Sequence, residues 1–595
     1  MAGQTEIEFP PLRRGAWRNR LHARLCALGR PASRLVFQPE PRSVGSFARG
    51  RQLCAGRFLF DGGAVEAPGL PIWEVDSPGL RFEAARQGFG WLDDLAAAAD
   101  GKARTVAQDW VLGWIDRFGR GGGPGWTPEL AGRRTIRLIH HARFLEVGLD
   151  AARCDRLHLA LARQTAFLAR RWRNAPPGLA RFEALAGLIY GALCLEGMGR
   201  HLPGAQAALE RACDTEIADD GALSSRNPEE LLEVLTLLGW VESAMAAAKR
   251  PAWQGHRAAI QRIAPVLRAL RHADGGLARF HGGGHGTEGR LDQALAAAGV
   301  KPRPLRGLAM GYARLASGRT TVIVDAARPP SGPASAEAHA STLAFELTSG
   351  RRPVIVNCGA GGAFGPGWRL AGRASSSHST LAIEGFSSSR LAPRRRGRPQ
   401  LLAEIPGAVD WRAETGQGGH ALTAWHDGYA ATHGLIHVRQ LNLAYDGRAL
   451  SGEDTLAAFT PEERAAFERA LDRAGGAGIA FSIRFHLHPE IDAALDLGGS
   501  AVSLAPKSGE IWVFRHDGAA SLSLVPSVYL ETGRAEPRAS QAILLSARMT
   551  DTACVVGWTL AKAHEGAQAP RDLEREDEFD DTAAPWTRPH SMTKD

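Results

Sequence analysis

Three side chains in the middle of this sequence have the types and spacing for chemistry. His339 stands just before an apolar run at 343–347, Asn357 closes a second run at 353–356, and His378 precedes a further one. Short apolar runs of this kind read as strands. A histidine before a strand, an amide at a strand end and a second histidine can converge on a point the size of a metal ion. Imidazoles suit zinc, and an asparagine carbonyl is a weaker oxygen ligand. Separate polar residues at strand ends would read the same way. His486 and His488, at i and i+2, share one strand face and offer either a second imidazole pair or an exposed polar face.

Positioning these residues requires strands in the second half of the chain. Runs at 320–325, 343–347, 353–356, 435–443, 479–487, 511–514 and 554–558 have that character, with glycine-rich turns between several of them as in an antiparallel sandwich. One helix interrupts: Thr460-Pro-Glu-Glu463 is a capping box with proline at the first helical position, leading to Arg473. The first half has helical period instead, at 80–98, 103–118, 128–147, 151–173, 179–197, 205–216, 228–248 and 253–272. Asn227-Pro228-Glu229-Glu230 is a helix start with an asparagine cap, proline at N1 and acids in the first turn. Helix pairs joined by short loops predict stacked hairpins, as a solenoid or a closed ring. No fixed-period repeat names a solenoid family.

At 595 residues the chain is too long for one core, so two domains are expected. No apolar run approaches a membrane span. The first residues lack the basic-then-apolar layout of a signal peptide, which reads as cytoplasmic. Seven scattered cysteines with no C-x-x-C pair argue against a disulfide framework and a cysteine zinc site. The net charge of +8 is carried almost wholly by arginine, with only six lysines. Arginine forks clamp carboxylates and sulfates, so an acidic polysaccharide is a reasonable partner. A GC-rich genome would yield the same composition without selection for binding. Nucleic acid is not expected, because no helix-turn-helix, zinc-finger or aromatic RNA-binding motif is present.

The segment from Ala334 to Gly385 resembles the signature of the heparinase II/III family of polysaccharide lyases. Asp220-Gly221 with Ser225-Arg226-Asn227-Pro228, Asp274 to Phe280 with His281-Gly282-Gly283, Trp425 to Tyr429, Gly434 to His437, Gly452-Glu453-Asp454 and Arg484 to Pro489 resemble further family segments in the family's order. The resemblance implies a bacterial-type architecture: an N-terminal α/α toroid of helical hairpins followed by a C-terminal antiparallel β-sandwich. With the change of apolar period near residue 300 and the charged, aperiodic last segment, the expected divisions are an N-terminal extension at 1–75, the toroid at 76–300, the sandwich at 301–565 and a disordered tail at 566–595. A cell-envelope or periplasmic location follows from the same resemblance.

The resemblance also implies β-elimination on a uronate-containing polysaccharide: a group neutralises the C6 carboxylate, a base takes the C5 proton and an acid protonates O4. In the family, a tyrosine and a histidine carry protons and zinc organises the site, with a metal motif like H-x-H-x-D, D-P-G and H-N-T. Here His339 matches the second histidine, Asn357 stands for the D-P-G aspartate and His378 keeps the last histidine. Glu337 occupies the catalytic histidine position and Ser341 replaces the aspartate, so any zinc site is degenerate. In the helical half, Glu230 falls near the expected catalytic tyrosine and Tyr190 is the only tyrosine. Glu337 or Glu230 would then be the base, Arg226 or Arg181 the uronate clamp, and Arg373 a groove residue beside His378. Each has a plainer reading: Glu230 on its helix dipole, Tyr190 in the core, Arg226 and Arg373 at the surface. The departures leave a second function open, a catalytically degenerate glycan-binding or scaffold protein on the same fold.

Overall fold

The computed structural model describes residues 16–29 and 34–564, apart from single positions 252, 304, 396, 417 and 532. The expected disordered tail at 566–595 lies outside the described residues. Among the described residues up to 298 the named elements are helices, with one exception that the apolar pattern does not announce: a two-stranded hairpin, Arg57–Phe60 with Gly63–Glu66. Helices Ala16–Leu28 and Phe47–Cys54 also precede the first predicted one. Leu53, Phe58, Phe60, Ile72 and Trp73 from this stretch join the same apolar cluster as the later helices.

Leu179–Cys194 is the central helix, in contact with Pro128–His140, Ala151–Arg171, Leu202–Glu216 and Pro228–Ala247. Its glycines allow this crowding. A Cβ on Gly187 would stand 2.4 Å from the Cα of Gly132, so the two backbones cross glycine on glycine. The substitution Gly187→Ala must force these helices apart. It should cost about 1–3 kcal/mol, as overpacked cores do, seen as a lower urea midpoint with the fold retained.

Two predicted helices break where glycines or polar residues interrupt them. Residues 80–98 form Leu80–Gly88 and Gly90–Ala98, with Phe89 between them at φ 63°. Residues 128–147 form Pro128–His140 and Ala142–Glu146. The start at Asn227 is as expected: its side-chain oxygen accepts from the backbone N–H of Glu229 and of Glu230. The Thr460 capping box forms too, and its helix runs Pro461–Arg473.

From Tyr312 onward the chain builds two large antiparallel sheets. In one, strand Ile479–Leu487 lies between Arg538–Met549 and Arg352–Val356, followed by Phe345–Ser349, Thr320–Asp325 and Tyr312–Ser317. In the other, Leu435–Ala444 and Ala449–Ala457 pair with each other and then with Ala553–His564. Phe345, Phe485, Phe514 and Trp558 meet in an apolar cluster that draws on both sheets. Arg439 is buried there, with Nε and Nη2 on the two oxygens of Asp454, at 2.7 and 3.0 Å.

Polar groups bind the helical part to the sheets. Tyr312 donates to the Arg226 carbonyl at 2.6 Å. The Arg279 side chain reaches the carbonyls of Cys358 and Leu530, while its backbone N–H donates to the buried Glu346. These contacts fix the junction where the candidate residues lie.

Candidate functional site

A groove of about 270 Å³ opens at the N-terminal end of Pro228–Ala247, lined by Arg133, Arg137, Glu183, Asn227, Glu229, Glu230, Glu233, Trp240 and Arg290 among others. A larger open depression of about 530 Å³ sits at the Gly318 and Gly350 turns and holds none of the expected site residues. Of the expected catalytic residues, only Glu230 lines the groove.

The groove is acidic and internally paired. Glu183 accepts from Arg133 at 2.5 Å and Glu233 from Arg290 at 2.5 Å, while Arg137 is turned to Asp93 at 3.1 Å. Glu229 accepts the Gly284 N–H at 2.8 Å, and Glu230 accepts the Ser225 hydroxyl at 2.7 Å. Burial pushes the carboxyls of Glu183, Glu229 and Glu230 up, and neighbouring acids add to it: Glu233 beside Glu183 and Glu229, Glu337 beside Glu230. Crowded carboxylates in a partly dry groove favour protonation of one another.

Tyr190 lies behind the groove wall. Its hydroxyl donates to the Trp240 carbonyl at 3.2 Å and meets His140 Nε2 at 3.1 Å. Burial raises the phenol well above its ordinary range and drives His140 down to about 3. This is the core position that its apolar neighbours suggest. Arg181 pairs with Glu216 at 2.7 Å and donates to the Ala175 carbonyl, tying down the start of its own helix.

Arg226 is buried and all its nitrogens are engaged. Nε donates to the Met310 carbonyl, Nη1 to those of Ala327 and Arg328, and Nη2 to Gly311 and, at 2.6 Å, to Asp325. Burial opposes its charge, and the Asp325 carboxylate holds its pKa above the ordinary value. Arg373 is similar: it donates to the carbonyls of Ala338, Ser335 and Gln400 at 2.7–2.8 Å. The surface reading of both arginines is therefore corrected. Each closes a set of backbone carbonyls that would otherwise be buried without donors. Glu337 is the accessible one, with its side chain 44% exposed between Arg81 and Arg369. Exposed ion pairs contribute little, so Glu337→Gln should change stability by less than about 1 kcal/mol in thermal or urea unfolding.

His339 and His378 do come together, with Nδ1 of the first 3.1 Å from Nε2 of the second. The Ala374 carbonyl can only accept, so His378 Nδ1, 2.8 Å away, carries a proton. His378 Nε2 is then an acceptor, and His339 Nδ1 donates to it. Burial keeps both rings neutral, pushing His378 to about 4 and His339 well below its ordinary value. Asn357 is tied beside them: its side-chain oxygen accepts from Ser379 N–H at 3.0 Å and its nitrogen donates to Glu346.

This donor set does not fit the zinc that the resemblance implied. Protein zinc sites supply three or four ligands. Here two imidazoles are hydrogen-bonded to each other and the amide is engaged at both ends. Among the described residues no group of three His, Cys, Asp or Glu converges as a metal site. His486 is buried rather than on an exposed face, held by Ser527 Oγ at 2.7 Å and the Ser376 carbonyl at 3.0 Å. The residues to which the sequence assigned no role are His281 and Asp325. His281 Nδ1 accepts the His339 N–H at 3.2 Å, and its Nε2 faces Asp325 at 3.5 Å, linking the histidine pair to Arg226.

Residues 300–559 match the family model described as heparinase II/III-like, C-terminal. The FtsZ-localized protein C of Caulobacter vibrioides is 30% identical over 556 residues, which is 91% of this chain and 92% of that protein. The chain belongs to the heparinase II/III-like family. Solved structures agree on the fold of this heparinase II/III-like protein. Heparinase III aligns at TM-score 0.66 with 13% identity, covering 93% of this chain and 90% of that one. The heparan sulfate lyase HepC of Pedobacter heparinus aligns at 0.51 with 13% identity, covering 93% and 88%.

Proposed function

We propose that this protein uses the heparinase II/III architecture, an α/α toroid of helical hairpins against a β-sandwich, as a binding scaffold rather than as a polysaccharide lyase, and that it works alongside FtsZ. The observation that carries this reading is the lining of the groove. An anionic uronate would meet Glu183, Glu229, Glu230 and Glu233, while Arg133, Arg137 and Arg290 are already paired with acids. Neutralising the substrate carboxylate is the first demand of β-elimination, and arginines already paired with acids among crowded glutamates meet it poorly. The engagement of Arg226, Arg181 and Arg373 with internal partners supports the same reading. The division-site role rests on the relative that is named for its localisation with FtsZ.

A second reading, retained lyase activity, is favoured by one observation. Glu230 lies in the groove with its carboxyl pushed up by burial, which is what a general base for a carbon acid requires.

Localisation tests the scaffold reading. A fluorescent fusion of the full chain should co-localise with FtsZ in its native cell and disperse when FtsZ is depleted, and Glu230→Gln should not alter this. A distribution indifferent to FtsZ would overturn it.

A further inference from the structure

Helix Ala16–Leu28 has two apolar faces. One turns inward, with Asn19, Ala23 and Cys26 buried where the helix packs on Ala151–Arg171. Arg171 Nε donates to Asn19 Oδ1 at 2.9 Å, and Arg170 reaches Cys26 Sγ at 3.0 Å. The helix is therefore part of the folded body. Its other face has no partner among the described residues. Trp17, Leu21, Leu25 and Leu28 are 64%, 45%, 52% and 82% exposed. Their spacing, repeating every three or four residues, lays them along one stripe. At 3.6 residues per turn that stripe lies roughly 170° from the buried face.

The flanks of the stripe are basic. Arg18 borders it on one side and Arg20 and Arg24 on the other, all exposed. The stretch 9–39 holds seven arginines and no aspartate or glutamate. A tryptophan and three leucines in a row are not the scattered apolar residues of an ordinary surface.

We propose that this face docks on an anionic membrane surface, with the helix lying flat at the headgroup layer. Trp17 and the leucines enter the acyl boundary and the arginines meet lipid phosphates, which is the recognition pattern of interfacial helices. Charge complementarity selects this occupant. A second copy of the chain would set arginine flank against arginine flank, and a nucleic acid would leave the apolar stripe in water. The helix does not span: thirteen residues rise about 20 Å against a hydrocarbon core of about 30 Å. No helix among the described residues is long and apolar enough to cross a membrane.

The test is co-sedimentation of the full chain with vesicles. Binding is expected to vesicles containing phosphatidylglycerol, little to phosphatidylcholine alone, with weakening as salt rises. The double variant Leu21→Glu, Leu25→Glu should bind at least tenfold more weakly with an unchanged Tm, because both positions are exposed. Arg20→Glu with Arg24→Glu, also on the surface, should lose the preference for anionic lipid, and decides the matter if the leucine variant misfolds. No binding to either vesicle, or binding unchanged in both variants, would overturn the proposal. So would a dimer in light scattering that L21E abolishes, which would give the face to a second copy.

Discussion

Asp325→Ala should be among the most destabilising single substitutions in this protein, at about 3–5 kcal/mol. The carboxylate sits fully buried at the end of strand Thr320–Asp325 and accepts from Arg226 at 2.6 Å and Ser341 at 2.7 Å. Removing it leaves a buried guanidinium facing only carbonyls, and an unpaired buried charge costs far more than the pair gains. Arg226→Ala should be comparably damaging, because the carbonyls of Met310, Gly311, Ala327 and Arg328 lose their donor together. The double variant should cost less than the sum of the two, since neither charge is then stranded. Urea unfolding followed by tryptophan fluorescence reads all three. Strict additivity would mean that the pair does not couple the helical part to the sheets.

Stability should fall steeply as pH drops below about 6.5, the ordinary histidine value. Burial pushes His256, His378 and His486 to about 4, and His140 and His488 to about 3. The unfolded chain binds protons at these positions near pH 6.5 while the native chain does not. The unfolded state therefore holds more protons, and native stability rises with pH through this window. Each such histidine contributes about 1.4 kcal/mol per pH unit between the two values. Five of them acting over one unit rival a typical total stability of about 5–15 kcal/mol. Going from pH 7.5 to 5.5 should lower Tm by about 5 °C in a chain of 595 residues. Carboxylates held low by their partners, such as Asp93 at about 2, beside Arg137 and His141, add their losses only at more acid pH. A Tm flat across pH 7.5 to 5.5 would contradict the neutral burial of these histidines.

What was legible in the sequence is what depends on neighbours along the chain. Asn227-Pro228-Glu229-Glu230 and Thr460-Pro461-Glu462-Glu463 carry their own caps, and both helices begin where those residues put them. His339 and His378 meet because each precedes a short strand in one sheet, a relation that spacing conveys. The fates of the arginines were not legible. Arg226 reads like a solvated residue in a cap, and its partners come from 310, 311, 325, 327 and 328, on a loop and strand far along the chain. Asp325 looks like the polar end of an apolar run until Arg226 and His281 are placed beside it. Helix Ala16–Leu28 escaped for a different reason. Apolar residues on two opposite faces cancel the one-sided period by which a surface helix is recognised.

The central claim is that this heparinase II/III-like protein keeps the fold without the elimination chemistry. Ultraviolet absorbance of unsaturated uronate products tests it most directly, with purified full-length chain on heparan sulfate, chondroitin and other uronate polymers, with and without added zinc. The account predicts no product above the rate without protein, and no difference between wild type and Glu230→Gln. Product formation by the wild type that Glu230→Gln abolishes would contradict it, and would make the buried carboxyl of the groove the base of a working lyase.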